Sequence, residues 1–126
     1  MIKATIILFA LQLLAFATNA QPSSLLVGKW KFVDIYNSGV PDPEIEKAKA
    51  TYKGFVVTFN SDQHYVMDLA GQEAGTWKYN DTYHNLVLMN RDGRQESLSV
   101  VKLENTKLIV AFQDKTAIVL EKIDGH

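Results

Sequence analysis

The chain has 126 residues and no cysteine, and its 13 basic and 14 acidic side chains give a formal net charge of −1. This near-neutral balance removes the electrostatic basis for binding nucleic acid or an anionic membrane surface. The length suits one domain, which without disulfides must be held together by its hydrophobic core alone.

The first 20 residues, MIKATIILFALQLLAFATNA, are predicted to be a secretory signal peptide. They combine one early lysine, an apolar run from Ile6 to Ala17 and small residues ending at Ala20, which is the order of such a peptide. The apolar run is shorter than the ~20 residues that a membrane-spanning helix needs, and a lipid anchor would require a cysteine. We therefore expect cleavage after Ala20 and a mature domain, residues 21–126, that is secreted or periplasmic and has no membrane span.

The first predicted strand is LVGKWKFVDIY, residues 26–36. Its apolar and charged residues alternate at first, so that Leu26, Trp30 and Phe32 share one face and lysines share the other. The alternation slips at residues 33–35, which indicates a β-bulge or a strand end.

A short helix is predicted after this strand, over residues 41–50. Asp42 is expected to cap it, with Pro43 at its first helical position and acidic residues in its first turn. Ile45 is expected to face the sheet and to lie over one end of it. There the helix acts either as a gate, with Gly39 as a hinge, or as a plug that is part of the core.

The rest of the chain reads as further short strands separated by turn compositions such as NSDQ and RDGR. About eight strands at this spacing, with connections too short for crossover helices, predict an antiparallel sandwich or barrel in one domain. The seven strands that follow the helix are expected at residues 53–60, 64–69, 74–79, 86–90, 96–103, 107–112 and 116–123.

Two stretches share a pattern, GKWKF at 28–32 and GTWKY at 75–79. Residues two apart lie on the same face of a strand, so glycine, tryptophan and the last aromatic face one way while the lysine faces solvent. Glycine beside an indole gives room where strands bend or where another segment approaches closely. We interpret both tryptophans as packing residues.

The order of these motifs resembles the small bacterial lipocalin-like domains. The G-x-W strand at 28–30 is followed by the hairpin FNSDQHY at 59–65, by GTWKY at 75–79 and by the L-x-L strand at 86–88. VKLENTKLIV, at 101–110, is similar to the paired leucines that flank a tight turn in that family. The resemblance implies an all-β fold, an antiparallel up-and-down eight-stranded lipocalin-like barrel with one short helix at one end.

The chain departs from full-length lipocalins in two motifs. It has no T-D-Y loop motif, and its last strand offers Lys115 or Lys122 where lipocalins place an arginine that stacks on the first tryptophan. The chain is also shorter than a full-length lipocalin. The resemblance therefore supports the architecture more strongly than a large ligand cup.

The sequence indicates no catalytic, metal or cofactor site. His64, His84 and His126 are not at metal-ligand spacing, and Ser97 and Ser99 lack the G-x-S-x-G turn of a hydrolase. The glycines are scattered, so no phosphate-binding loop is visible. We predict a protein that is not an enzyme and carries no cofactor.

Acidic side chains on the strands have two interpretations. The favoured one leaves Asp34 and Asp68 facing solvent. In the alternative, the bulge turns Asp34 inward near Tyr65 or Tyr79, where its carboxylate would orient a polar ligand.

Two functions remain open, because side chains either fill an eight-stranded barrel or leave space for one small ligand. One is a carrier of a small apolar or aromatic molecule. The other is a protein–protein interaction or inhibitor module with a filled barrel and an envelope or extracellular protein as partner. An empty apolar volume near Trp30 and Tyr65 favours the carrier, whose predicted ligand-binding residues are Trp30, Phe32, Phe55, Phe59, Tyr65, Met67, Trp77 and Tyr79. Five more residues are expected to face the interior: Val57, Leu88, Leu108, Val110 and Phe112.

Overall fold

The computed structural model describes residues 22–123. The predicted signal peptide and its cleavage after Ala20 lie outside these residues. The described chain forms two helices, α1 (Pro22–Leu26) and α2 (Asp42–Tyr52), and eight strands. The strands are β1 (Gly28–Tyr36), β2 (Val56–Phe59), β3 (His64–Asp68), β4 (Gln72–Asn80), β5 (Asn85–Asn90), β6 (Gln95–Leu103), β7 (Lys107–Ala111) and β8 (Ala117–Lys122).

The strands form a closed antiparallel barrel. Each strand pairs with the next one along the chain, and β8 pairs with β1. This last pairing excludes the sandwich and confirms the predicted up-and-down eight-stranded barrel. Among residues 22–123, no helix is long and apolar enough to cross a membrane.

The predicted irregularity in β1 is a β-bulge. The register of β1 against β8 shifts between Phe32 and Asp34. The extra residue leaves Val33 48% exposed and returns Ile35, 3% exposed, to the interior opposite Ile118. The bulge therefore lets a strand with broken alternation keep its apolar side chains inside the barrel.

The start of the first strand differs from the prediction. Leu26 was placed in that strand, but it is the last residue of α1, and β1 begins at Gly28. Gly28 has a positive φ that glycine adopts without a steric cost, and this conformation separates the helix from the strand. Leu26 is nevertheless fully buried, so its predicted inward orientation is correct.

Helix α2 ends two residues beyond its predicted end, and its cap also differs. Pro41 is the N-cap residue and no side chain caps the helix, so the prediction that Asp42 caps it is wrong. Pro41 is extended and its carbonyl accepts hydrogen bonds from the backbone N–H groups of Glu44 and Ile45, so the first helical residue is Asp42 and not Pro43. Asp42 lies instead in the first turn, where a carboxylate favours the positive end of the helix dipole.

The hydrophobic core lies on the inner face of the barrel. All the residues predicted to face the interior are buried or pack against the buried cluster. The lysines of the two repeated stretches are exposed, as strand alternation requires. The alternation in the sequence therefore predicted correctly which side chains face the interior and which face solvent.

Candidate functional site

The barrel has two ends of different construction. The closed end, as we name it, comprises α1 and the turns at residues 60–63, 81–84 and 104–106. The open end comprises α2 and the turns at residues 69–71, 91–94 and 112–116. Since the strands alternate in direction, successive turns fall alternately at the two ends.

At the closed end, Trp30 is held between the N-terminal helix and the last strand. Its indole Nε1 donates a 2.9 Å hydrogen bond to the carbonyl of Leu26. The Nζ of Lys122 lies 5.1 Å from the ring centroid and 3.3 Å from the carbonyl oxygen of Leu25. A Cβ at Gly28 would lie 2.7 Å from the Cε of Lys122, so this glycine leaves room for the lysine. Lys122, not Lys115, occupies the position that the resemblance gives to arginine.

Trp77 closes the same end from the opposite wall. Its Nε1 donates a 3.1 Å hydrogen bond to the carbonyl of Asn60, and its ring meets Phe59 edge-on with centroids 5.6 Å apart. A Cβ at Gly75 would overlap the backbone carbonyl of Met89, so here the glycine permits a close approach of β5. The expected role of glycine beside each indole is thus confirmed.

A cavity of about 500 Å³ lies inside the barrel between the indoles and the open end. Its lining is mainly aliphatic and aromatic, and it includes three of the predicted ligand-binding residues, Phe55, Phe59 and Met67. The other apolar residues of the lining were not predicted to bind ligand. Five of them were expected only to face the interior: Val57, Leu88, Leu108, Val110 and Phe112. The rest are Tyr52, Leu69, Ala70, Leu86, Leu98, Ile118 and Leu120.

The other predicted ligand-binding residues lie around the cavity without lining it. Trp30 and Trp77 are at the closed end. Phe32 is covered by the ring of Tyr52, with centroids 5.7 Å apart. The remaining two are Tyr65, which is buried, and Tyr79, whose hydroxyl lies 3.4 Å from the Nδ1 of His84 in the 81–84 turn.

Tyr52 is the residue of α2 that reaches the cavity. It stacks on Phe32 and meets Phe55 edge-on, with centroids 6.1 Å apart. Ile45 was expected to lie over the open end, but it packs against the core and does not line the cavity. The helix extends to residue 52, beyond its predicted end, and this last turn supplies the aromatic ring.

Two carboxylates lie on the inner face of the barrel at the open end. Glu73 pairs with the inward-facing Met67, and Glu96 pairs with the inward-facing Leu88. Both line the cavity. Neither was predicted from the sequence, because the predicted strand 74–79 begins after Glu73 and only apolar members of strand 96–103 were expected to face inward. The signal was present, since Glu73 is four residues before Trp77 and therefore in phase with it.

Tyr65 fixes the orientation of one of these carboxylates. Its hydroxyl donates a 2.9 Å hydrogen bond to Oε2 of Glu73. Burial raises the pKa of the Tyr65 phenol far above its ordinary value, and the bond to Glu73 and the charges of Glu73 and Glu96 raise it further. The phenol therefore stays protonated and remains a donor.

A second, polar cavity of about 490 Å³ adjoins the first. It forms where β6 and β7 separate: their pairing begins at Ser99 and Ala111, so the first four residues of β6 pair only with β5. The two cavities share Tyr52, Glu96 and Phe112 in their linings. Glu96 thus stands at the junction of an apolar and a polar space.

Comparison with known proteins agrees with this architecture. The family model described as a lipocalin-like domain matches residues 26–110. The chain belongs to this lipocalin-like family. No curated protein matches the lipocalin-like chain significantly.

Solved structures share the lipocalin-like fold at low sequence identity. A DUF4847 family protein from Bacteroides vulgatus is 18% identical, with a TM-score of 0.60 over 81% of this chain and 96% of that one. A lipocalin-like protein from Bacteroides uniformis is 10% identical, with a TM-score of 0.59 over 79% of this chain and 99% of that one. At these identities the likeness shows the fold alone.

The Asp34 side chain has two partners on the outer surface of the lipocalin-like barrel. Asp34 accepts a 2.8 Å hydrogen bond from the backbone N–H of Ile35 and lies 3.5 Å from the Nζ of Lys49. The backbone bond and the lysine hold the pKa of this carboxyl below its ordinary value. The alternative of an inward Asp34 is wrong, because the bulge turns Ile35 inward instead.

Within residues 22–123, no three His, Cys, Asp or Glu side chains form a group that could hold a metal.

Proposed function

We propose that this lipocalin-like protein is exported and carries one small apolar or aromatic molecule inside its barrel. The observation that supports the carrier is the apolar cavity of about 500 Å³. This volume falls within the range of ~300–1,000 Å³ typical of small-molecule sites. Export rests on the signal-peptide pattern of the first 20 residues.

The lining favours an apolar ligand for a simple physical reason. Removing apolar surface from water is favourable by roughly 25 cal/mol per Å², and the cavity wall contributes side chains such as Phe59, Leu88, Leu98 and Phe112. A ligand of this kind buries its surface together with that of the wall. The aromatic rings at the entrance, Tyr52 among them, suit an aromatic ligand as well as an aliphatic one.

The interaction-module alternative required a filled barrel and an exposed apolar patch. The cavity argues against the first requirement. The large exposed apolar residues of the described chain are distributed over β1, the 81–84 turn, β5 and β6: Val33, Tyr36, Tyr83, Met89 and Val101. The carrier is therefore the function that we retain.

The test is a titration of the purified protein with N-phenyl-1-naphthylamine, a neutral apolar probe that fluoresces when shielded from water. Saturable binding is expected. Leu98→Trp, which places a larger side chain in the cavity, should abolish it, while Val101→Trp on the exposed face of the same strand should not.

Circular dichroism and melting curves establish that both variants fold. Native mass spectrometry of the exported protein then tests for a small molecule that co-purifies with it. If the wild type shows no saturable binding, or if folded Leu98→Trp binds as well as Val101→Trp, the carrier function is rejected.

A further inference from the structure

The charged side chains that line the two adjoining cavities are all acidic. They are Glu73 and Glu96 in the apolar cavity and Glu96 and Asp114 in the polar one. Of residues 22–123, no lysine, arginine or histidine lines either cavity. A site with this lining repels an anionic ligand and attracts a cationic one.

Glu73 and Glu96 also form no ion pair with a basic residue of the described chain, residues 22–123. The ion pairs of the described chain involve Asp34, Glu46, Asp62 and Glu104, and none involves Glu73 or Glu96. The basic residues of the nearby turns, Arg91, Arg94 and Lys115, line neither cavity. The negative charge at the mouth is therefore available to a ligand.

The position of the carboxylates relative to the apolar wall suggests the shape of that ligand. Glu73 and Trp77 share one face of β4 four residues apart, which is about 13 Å along a strand. Glu73 and Glu96 line the cavity at the open end, together with the apolar residues of its wall. Tyr65, which is almost completely buried, holds the Glu73 carboxylate in place through its hydroxyl.

We propose that the ligand is an amphipathic cation, with an apolar body inside the barrel and an ammonium-type head group at Glu73 and Glu96. The inference rests on the proposed carrier function and names its ligand class. A primary ammonium has three donors and no acceptor. It therefore offers a positive charge and enough donors for both carboxylates, whereas a hydroxyl head group offers one donor and no charge. A carboxylate head group would add a third negative charge to the same space.

The test compares three ligands with the same ten-carbon tail: decylamine, decanol and decanoate. Each competes with N-phenyl-1-naphthylamine for wild-type protein at neutral pH and low salt. Decylamine is expected to bind about tenfold more tightly than decanol, as a charge-assisted but partly exposed contact allows. Decanoate is expected to bind most weakly, and added salt should narrow the differences because it screens the charges.

The variant Glu73→Gln/Glu96→Gln should bind decylamine and decanol equally. The control Asp68→Asn/Asp92→Asn removes the same charge from exposed residues outside the cavities and should keep the preference. Equal binding of decylamine and decanol by wild type, or equal loss of the preference in variant and control, would overturn the cationic ligand alone. Competition by none of the three ligands would also overturn the cationic ligand, whereas the carrier function is rejected only if the probe itself shows no saturable binding that Leu98→Trp abolishes.

Discussion

The closed and open ends of the barrel use aromatic and charged side chains in different ways. At the closed end, the polar atoms of Trp30, Trp77 and Lys122 all donate to backbone carbonyls of the segments that cover the barrel. At the open end, the hydroxyl of Tyr65 donates to a carboxylate that itself faces the cavity. The comparison teaches that polar groups bonded to backbone tie the covering segments to the barrel, whereas the Tyr65 hydroxyl orients a carboxylate that lines the cavity.

The largest effect is expected from truncating the buried indole of the closed end. Trp30→Ala should lower the free energy of unfolding by about 3–5 kcal/mol, because it removes a fully buried side chain and leaves a cavity. Tyr36→Ala, on the same strand but 55% exposed, should change it by less than about 0.5 kcal/mol. Denaturant unfolding measures both. A loss below 1 kcal/mol for Trp30→Ala, on the order of a surface substitution, would contradict the structural role of the indole.

Gly75 lies on β4 between Glu73 of the open end and Trp77 of the closed end. Gly75→Ala should cost about 1–3 kcal/mol or more, since its Cβ would overlap the Met89 carbonyl and push β4 from β5. The matched control is Gly39→Ala in the loop before α2, where a Cβ meets only the side chain of Asn37 at 3.5 Å. Unfolding curves that show equal stability for the two variants would refute the close approach.

Lys122 connects the last strand to α1 and to the first indole. Lys122→Met should cost about 1–2 kcal/mol, because it removes the cation over Trp30 and the hydrogen bond to Leu25 while keeping an apolar chain. Lys31→Met, which changes an exposed lysine of β1, is the control. Thermal melts compare the two, and Lys122→Arg should restore most of the loss. If Lys122→Met and Lys31→Met melt at the same temperature, Lys122 does not stabilise the closed end.

The smallest effect is expected from the hydroxyl of Tyr65 at the open end. Tyr65→Phe should cost about 0.5–1 kcal/mol at neutral pH, since Glu73 is exposed enough to be hydrated in its absence. The wild-type phenol has its pKa raised in the folded state, so its contribution to stability is complete below the ordinary value of 10.0 and is lost as the pH rises above it. Tyr65→Phe should therefore lose less stability than wild type above about pH 10.

Unfolding at increasing pH measures this slope. Tyr83→Phe, which removes an exposed hydroxyl in the 81–84 turn, is the control. If wild type and Tyr65→Phe lose the same free energy of unfolding above about pH 10, ionisation of the Tyr65 hydroxyl does not cause the loss of stability at high pH.

Much of the fold was predictable because strand alternation is local. Residues two apart share a face whatever the rest of the chain does, so Phe55, Phe59 and Met67 could be assigned to the interior in advance. The bulge in β1 was visible as a break in that period, and the glycines beside the indoles indicated close approach. The family resemblance then supplied the choice of a barrel over a sandwich, which the pairing of β8 with β1 bears out.

Depth inside the barrel was decided only by the tertiary structure. Alternation says which face a side chain takes, but its height depends on the tilt and stagger of closed strands. The register of β1 on β8 puts Lys122 opposite Trp30, while Lys115 falls in a turn at the open end. Likewise, Glu73 and Glu96 are 23 positions apart in the sequence. They reach the same mouth because β4 and β6 flank β5, a contact between distant segments that no local pattern contains.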